Sequence, residues 1–348
     1  MAGLTKEGYK MGFTGYSDEA AEARVESRVR EGKAAVSSYT ADIAAGVAPP
    51  KVHNDLDPKG LIFRESRDSE AHPESVPVIL VLDETGSMGR VIRQIQKSIR
   101  SLMKLLVHKG YLPHPHIMII GIGDVPNRER APLQVSQFES DDKIEGCIDS
   151  VFIEGQGGSY GQESYQNAAY IAAFKTRTDH YEKRGQRGYM FIFGDEENHE
   201  FSVDEVRKLI DTADERTLQS MTTAEIYEKA AEKYRIFFVL PKRASGGTNE
   251  GIVSHWSKLI GSQNVLRLED ENAAGECVAA QIGICEGTTD VDTISKDLTD
   301  IHGAGSATTA LIRAVRGSVS TTAAGEALTK MPKGSLVPGS APVAVERL

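Results

Sequence analysis

Cysteine is scarce: three residues in 348, Cys147, Cys277 and Cys285. They are too few and too scattered for a disulfide framework or a Cys-x-x-Cys pair, and an odd count fits a reducing compartment. Long apolar runs are missing too, since none approaches the roughly 20 residues that span a bilayer. The first twenty residues, MAGLTKEGYKMGFTGYSDEA, hold no apolar segment of a secretory signal. A cytoplasmic location is the default expectation from these absences. Basic residues are in deficit, 40 against 50 acidic ones, for a net charge of −10. Such a field repels a phosphate backbone, so neither nucleic acid nor a membrane is expected as a partner. No phosphate-loop GxxxxGK[ST], no GxSxG elbow and no HExxH helix occurs.

What is present reads as a glycine-punctuated α/β chain, with 33 glycines and 40% hydrophobic residues. Residues 1–75 are polar, with a helix expected from about Asp18 to Val36 and a linker or wrapping arm from Gly46 to Ser75, where Pro49, Pro50, Pro58 and Pro73 fall. At Val76 the pattern changes. VPVILVL at 76–82 is an unbroken apolar run, as a parallel strand buried on both faces requires. Ile92, Ile95, Ile99, Leu102 and Leu106 then recur at helical spacing up to Gly110. Further strands are expected at 116–123, 189–194, 235–240 and 264–268, with a short edge strand at 133–138, and helices between them. One of these helices should run unbroken from the loop at 155–164 to about Arg184, and another from Ala273 to Ile284. This alternation predicts a doubly wound, mostly parallel sheet of about six strands with helices on both faces. Residues 286–348, rich in Gly, Ser, Thr and Ala, are expected to form a loose tail with helical character only at Ala307 to Val315.

In an open parallel sheet, ligands bind beyond the carboxyl ends of the strands. Three segments there are rich in oxygen donors. Asp83-Glu84-Thr85-Gly86-Ser87 follows the first strand, Gly157-Gly158-Ser159-Tyr160-Gly161-Gln162-Glu163 forms a later loop, and Gly194-Asp195-Glu196-Glu197 follows the strand ending at Phe193. Hydroxyls and carboxylates together suit a hard divalent cation, which wants about six oxygen ligands and commonly keeps some water. With no Cys or His well placed, zinc is disfavoured. Taken singly, Thr85 and Ser87 are equally helix caps and Asp195 equally a turn former; the case rests on all of them together.

Asp83-x-Thr85-x-Ser87, a Gly-Gly-Ser loop and a strand-end Asp195 resemble the metal-ion-dependent adhesion site of von Willebrand factor type A domains, over Val76 to Cys285. The segment from Pro132 to Tyr165 is also similar to a bacterial and phage-associated branch of that family. The resemblance implies a Rossmann-like fold that binds Mg2+, with Mn2+ and Ca2+ as alternatives. Thr85 and Ser87 would be direct ligands, Ser159 a conditional one, and Asp83 and Asp195 would act through water. Thr85 stands where Ser is more usual, and Ser159 where Thr is. Glu163 lies close enough in sequence to compete with Ser159, and Asp124 and Glu196 are further accessory candidates.

The functional expectation is a non-enzymatic module in which the cation bridges to an acidic residue of a protein partner, as an adaptor or assembly factor. The family resemblance adds AAA+ ATPases as a class of companion. Two alternatives stand beside it. One is a metal-dependent hydrolase or phosphoesterase with Glu163 or Glu196 as base; haloacid-dehalogenase-like phosphatases, however, carry a second Asp where this chain has Thr85. The other is a structural component of a phage particle or large complex. Two histidine clusters draw less weight. Glu196, Glu197, His199 and Glu200 are read as a solvated acidic loop rather than a second metal site, and His114 and His116 as loop residues flanking Pro115. Asp124 is read as a turn former beside Pro126, and Tyr160, Tyr165, Tyr170 and Trp256 as core or rim contacts.

Overall fold

A computed structural model describes residues 38–155, 161–212, 221–242 and 250–320. The strands are β1 (Arg64–Ser66), β2 (Val76–Asp83), β3 (Pro115–Ile122), β4 (Leu133–Val135), β5 (Gln162–Glu163), β6 (Thr176–Thr178), β7 (Gly188–Phe193), β8 (Glu197–Asn198), β9 (Tyr234–Pro241) and β10 (Val265–Leu268). The helices are α1 (Ser38–Ala44), α2 (Gly89–Met103), α3 (Lys143–Asp149), α4 (Gln166–Phe174), α5 (Asp179–Glu182), α6 (Val203–Leu209), α7 (Thr223–Lys233), α8 (Glu250–Ile260), α9 (Ala274–Glu286), α10 (Val291–His302) and α11 (Ser306–Ser320).

Six strands form the main sheet in the order β10-β9-β7-β2-β3-β4. Every neighbouring pair is parallel except β3 and β4 at the edge. The apolar run of β2 is explained by burial on both faces. Val78, Leu80 and Leu82 point into one core with Ile92, Ile95 and Ile99 of α2 and Val278 of α9. Ile79 and Val81 point into the other, with Ala168, Ala169 and Ile171 of α4, Ile226 and Ala230 of α7 and Trp256 of α8. Period-two alternation thus feeds two cores from one strand. The sheet is the doubly wound, mostly parallel one that the sequence predicts.

Three segments depart from expectation. The helix foreseen up to Arg184 stops at Phe174, and Thr176–Thr178 becomes β6, whose partner is β1, over a hundred residues earlier in the chain. The β-branched Thr-Arg-Thr suits a strand, and Thr178 then caps α5 by accepting from the Tyr181 N–H. The arm before Val76 wraps this sheet. Leu56 and Leu61 are buried, Arg64 donates to the Val135 carbonyl at 2.8 Å, and Asp68 is held by both terminal nitrogens of Arg184 at 2.8 and 3.2 Å. At the other end, residues 286–320 are not a loose tail. α10 and α11 insert Ile294, Leu298, Leu311, Val315 and Val319 into the same core as α2 and α9. The helix expected at 18–36 and the segment 321–348 lie outside the described residues.

Candidate functional site

The first strand of the main sheet, β2, sits at the centre, with β3 on one side and β7 on the other. The helix after β2, α2, covers one face, while α7 beyond β7 covers the other. The winding therefore reverses between β2 and β7, and their carboxyl ends border the crevice where such sheets bind ligands. Asp83 is the last residue of β2, and Asp195 lies two residues past the end of β7. Between Asp83 and α2 the chain turns tightly. A Cβ at Gly86 would sit 3.0 Å from the Gly155 carbonyl oxygen, and Gly155 N–H donates to the Glu84 carbonyl at 3.2 Å. Glycine at 86 lets the two loops touch.

The side chains in this crevice form a directed set. Asp83 Oδ1 accepts from the Thr85 backbone N–H at 2.9 Å and from Thr85 Oγ1 at 2.5 Å. Asp83 Oδ2 accepts from the Tyr165 hydroxyl. Ser87 Oγ donates to Asp195 Oδ1 at 3.1 Å. Each hydroxyl thus spends its proton on an aspartate, which leaves oxygen lone pairs to face a cation. Asp83 is fully buried and Asp195 nearly so. Burial pushes the Asp83 carboxyl up to about 7, with Asp195 adding to the rise and the hydrogen bonds from Thr85 and Tyr165 opposing it.

Further carboxylates crowd the same place. Glu163 is fully buried, and neither of its carboxylate oxygens has a hydrogen-bond partner among the described residues. Burial, then Asp83, Asp124, Glu129 and Asp195, push it up to about 10. Its backbone is fixed by the parallel pairing of β5 with β8 and by the His199 N–H, which donates to its carbonyl at 3.0 Å. Asp124 is also buried, with Oδ1 2.9 Å from His199 Nε2, so it lines the rim rather than an exposed turn. Its N–H donates to Glu129 at 2.7 Å, and burial pushes Glu129 up to about 7. Glu84 is fully buried and is raised well above the carboxylate range by burial and by Glu129, Glu154 and Asp83; Gln134 donates to it.

The structure brings Asp83, Thr85, Ser87, Asp195, Glu163 and Asp124 to one end of the sheet. Ser159 lies outside the described residues. Glu196 gives its carbonyl to the Trp256 indole at 3.0 Å. Glu200 accepts from Thr223 at 3.0 Å, and His255 stands 3.6 Å from Glu197, so the acidic run after β7 disperses among different partners. His114 and His116 lie at the opposite end of the sheet, and His72 of the arm packs edge-to-face on both rings. Tyr165, a core or rim contact by sequence, also binds Asp83, and Glu84, Glu129 and Gln134 join the cluster without standing out as site residues in the sequence. The signal for Glu84 was there: a second carboxylate directly after an apolar strand end.

These donors fit a hard cation. The hydroxyls of Thr85 and Ser87, backed by two aspartates, and the unpartnered Glu163 oxygens are oxygen ligands of the kind Mg2+ and its relatives take. Among the described residues, no three His, Cys, Asp or Glu side chains are placed to hold a metal by themselves. No helix among the described residues is long and apolar enough to cross a membrane.

No protein-family model matches the chain, and no curated protein matches it in sequence. Solved structures are similar at low identity. The pilus adhesin SpaC from Lactobacillus rhamnosus GG, in its open conformation, is 11% identical with a TM-score of 0.41, over 63% of this chain and 31% of that one. Proximal thread matrix protein 1 from the mussel byssus is 7% identical with a TM-score of 0.38, over 63% of this chain and 49% of that one. A form of the byssus protein with a zinc-occupied metal-ion-dependent adhesion motif gives 8% and 0.37 over the same shares. The chain therefore spans about a third of the adhesin and half of the byssus protein. The cytoplasmic location expected from the sequence is withdrawn: the similar structures are those of a pilus adhesin and of a matrix protein of the mussel byssus. At these identities and TM-scores the likeness is partial and places the chain in no one family.

Proposed function

We propose that the chain is a metal-dependent binding module: a divalent cation held by Thr85, Ser87, Asp83 and Asp195 engages a carboxylate on a protein partner. The observation that carries this reading is the pairing of each hydroxyl with an aspartate, Thr85 with Asp83 within the turn after β2 and Ser87 with Asp195 across the crevice between β2 and β7. That pairing leaves the hydroxyl lone pairs free to meet a cation, and a divalent ion held by so few protein ligands would keep a position for an outside one. Asp83 and Asp195 act through bound water, and Mg2+ is the resident ion.

The same face can serve as a subunit contact, which makes the chain a structural component of a larger assembly. In that reading the arm is not what grips a neighbour, because residues 56–75 are bound within the chain's own fold.

The test is titration of the purified chain with Mg2+ and Mn2+ by calorimetry, followed by capture of partners in Mg2+, in EDTA and with Ser87→Ala. Expected are one bound cation per chain, lost in Ser87→Ala, and a partner retained only by the wild type with metal. A folded wild type that binds no cation overturns the proposal.

A further inference from the structure

We propose that Glu163 is the chain's own occupant of the cation's open coordination position, so that a partner's carboxylate binds only by displacing it. This rests on the metal-dependent reading above and adds a restraint to it.

The argument begins with Glu163's surroundings. The side chain is fully buried, and both carboxylate oxygens lack a hydrogen-bond partner among the described residues. The charged groups that bear on it are Asp83, Asp124, Glu129 and Asp195, all of the same sign. A carboxylate in that setting is costly unless something positive or hydrogen-bonding meets it. A proton would remove the charge but leave an O–H donor and an acceptor oxygen both unpaired. A cation meets both the oxygens and the surrounding negative charge.

The backbone holds the residue in place for that task. β5 pairs with β8, directly after Asp195 and Glu196, through Gln162 with Glu197 and Glu163 with Asn198. The next residue, Ser164, accepts from the Val125 N–H at 3.1 Å, beside Asp124. The one after it, Tyr165, donates to Asp83. Glu163 is therefore tied on one side to the loop after β7 and on the other to the ends of β2 and β3. A residue so fixed cannot swing into solvent without breaking these ties, which makes it a standing competitor rather than a passing one.

The competition has a chemical consequence. An added carboxylate on a divalent ion lowers the ion's remaining pull on another anion, so an intact Glu163 weakens capture of an outside carboxylate while strengthening the hold on the metal. Removing its charge should separate these two effects.

The experiment uses the full chain with Mn2+ as the metal and acetate as the carboxylate probe, at one fixed neutral pH. Bound Mn2+ is counted by electron paramagnetic resonance, and water coordinated to it by proton relaxation. In Glu163→Gln, Mn2+ affinity should fall about tenfold or more, the number of fast-exchanging waters on the metal should rise by about one, and acetate should bind the loaded protein more tightly than it binds loaded wild type. Glu163→Asp, which keeps the charge but shortens the reach, should match Glu163→Gln in hydration and covers the case in which the amide variant does not fold. Ser87→Ala is the control for the site itself. Loss of Mn2+ in Ser87→Ala with unchanged hydration and acetate affinity in both Glu163 variants overturns the proposal and leaves the metal-dependent reading standing. Absence of Mn2+ binding in the wild type overturns both.

Discussion

Asp68 is the point where the arm is fastened to the domain, and Asp68→Asn tests how much the fastening contributes. Its carboxylate takes both terminal nitrogens of Arg184, at 2.8 and 3.2 Å, and accepts from the Ser75 N–H at 3.1 Å and the Ser75 hydroxyl at 2.9 Å. Arg184 in turn donates to the Ser75 carbonyl at 2.8 Å. The two side chains are 16% and 22% exposed, between a surface pair worth at most about 1 kcal/mol and a buried one whose disruption costs about 3–5 kcal/mol. An intermediate loss of about 2 kcal/mol is expected, since the amide keeps the shape and some hydrogen bonds but leaves Arg184 without its counter-charge. The sign with pH follows from Arg184, which holds the Asp68 carboxyl well below the usual carboxylate range, with the Ser75 bonds assisting against burial. A depressed acid stabilises fully above its unfolded value, near 4, and that contribution is lost as pH falls below it. Urea denaturation at pH 7 and at pH 3 should show a gap between wild type and variant that is widest at pH 7 and narrows in acid. Equal midpoints at pH 7, or a gap that persists unchanged at pH 3, would refute the account of the arm as ionically latched.

Three further outcomes are expected. Leu298→Ala should cost about 3 kcal/mol by opening a cavity where α10 meets the core, and a midpoint shift near zero in denaturant would mean that α10 is not part of the folding unit. A Cβ at Gly194 would overlap the Tyr165 hydroxyl, so Gly194→Ala should displace Tyr165 from Asp83 and weaken cation binding in calorimetry. Unchanged binding would remove Tyr165 from the site's support. Burial, then His72 and His114, lower the His116 imidazole to about 4, with Asp68 opposing. Its neutral form is favoured in the fold, so stability falls as pH drops from about 6.5 to about 4, by at most about 3 kcal/mol. His116→Asn should flatten that limb of the stability curve, and an identical pH profile would count against it.

The sequence carried much of this architecture in its apolar runs. VPVILVL could only be a strand covered on both sides, and the residues just beyond its end, Asp83, Thr85 and Ser87, announce themselves because hydroxyls and carboxylates interrupt an apolar pattern. What was hidden depends on distant partners. Thr176–Thr178 is a strand because the arm supplies Arg64–Ser66; two β-branched threonines by themselves are too short a signal to end the preceding helix. α10 places Ile294 and Leu298 four apart, but Ser, Lys and Asp between them dilute the signal, and the apolar positions of α11, Leu311, Ala314, Val315 and Val319, stand among Thr, Ser, Arg and Gly. Glu84 and Gln134 meet across strands fifty residues apart, a pairing that spacing alone does not reveal.

The seam between β1 and β6 bears on how the protein could be divided. A chain begun at Val76 would retain every strand of the main sheet, yet it would leave β6 with no partner and its backbone groups open to any strand of another molecule. It would also uncover the surfaces now closed by Leu56 and Leu61 and strip Arg184 of Asp68. The smallest piece that keeps its own edges closed therefore starts before Leu56, well upstream of the first strand of the main sheet, and the natural place to attach a tag or graft a neighbouring module is ahead of that point.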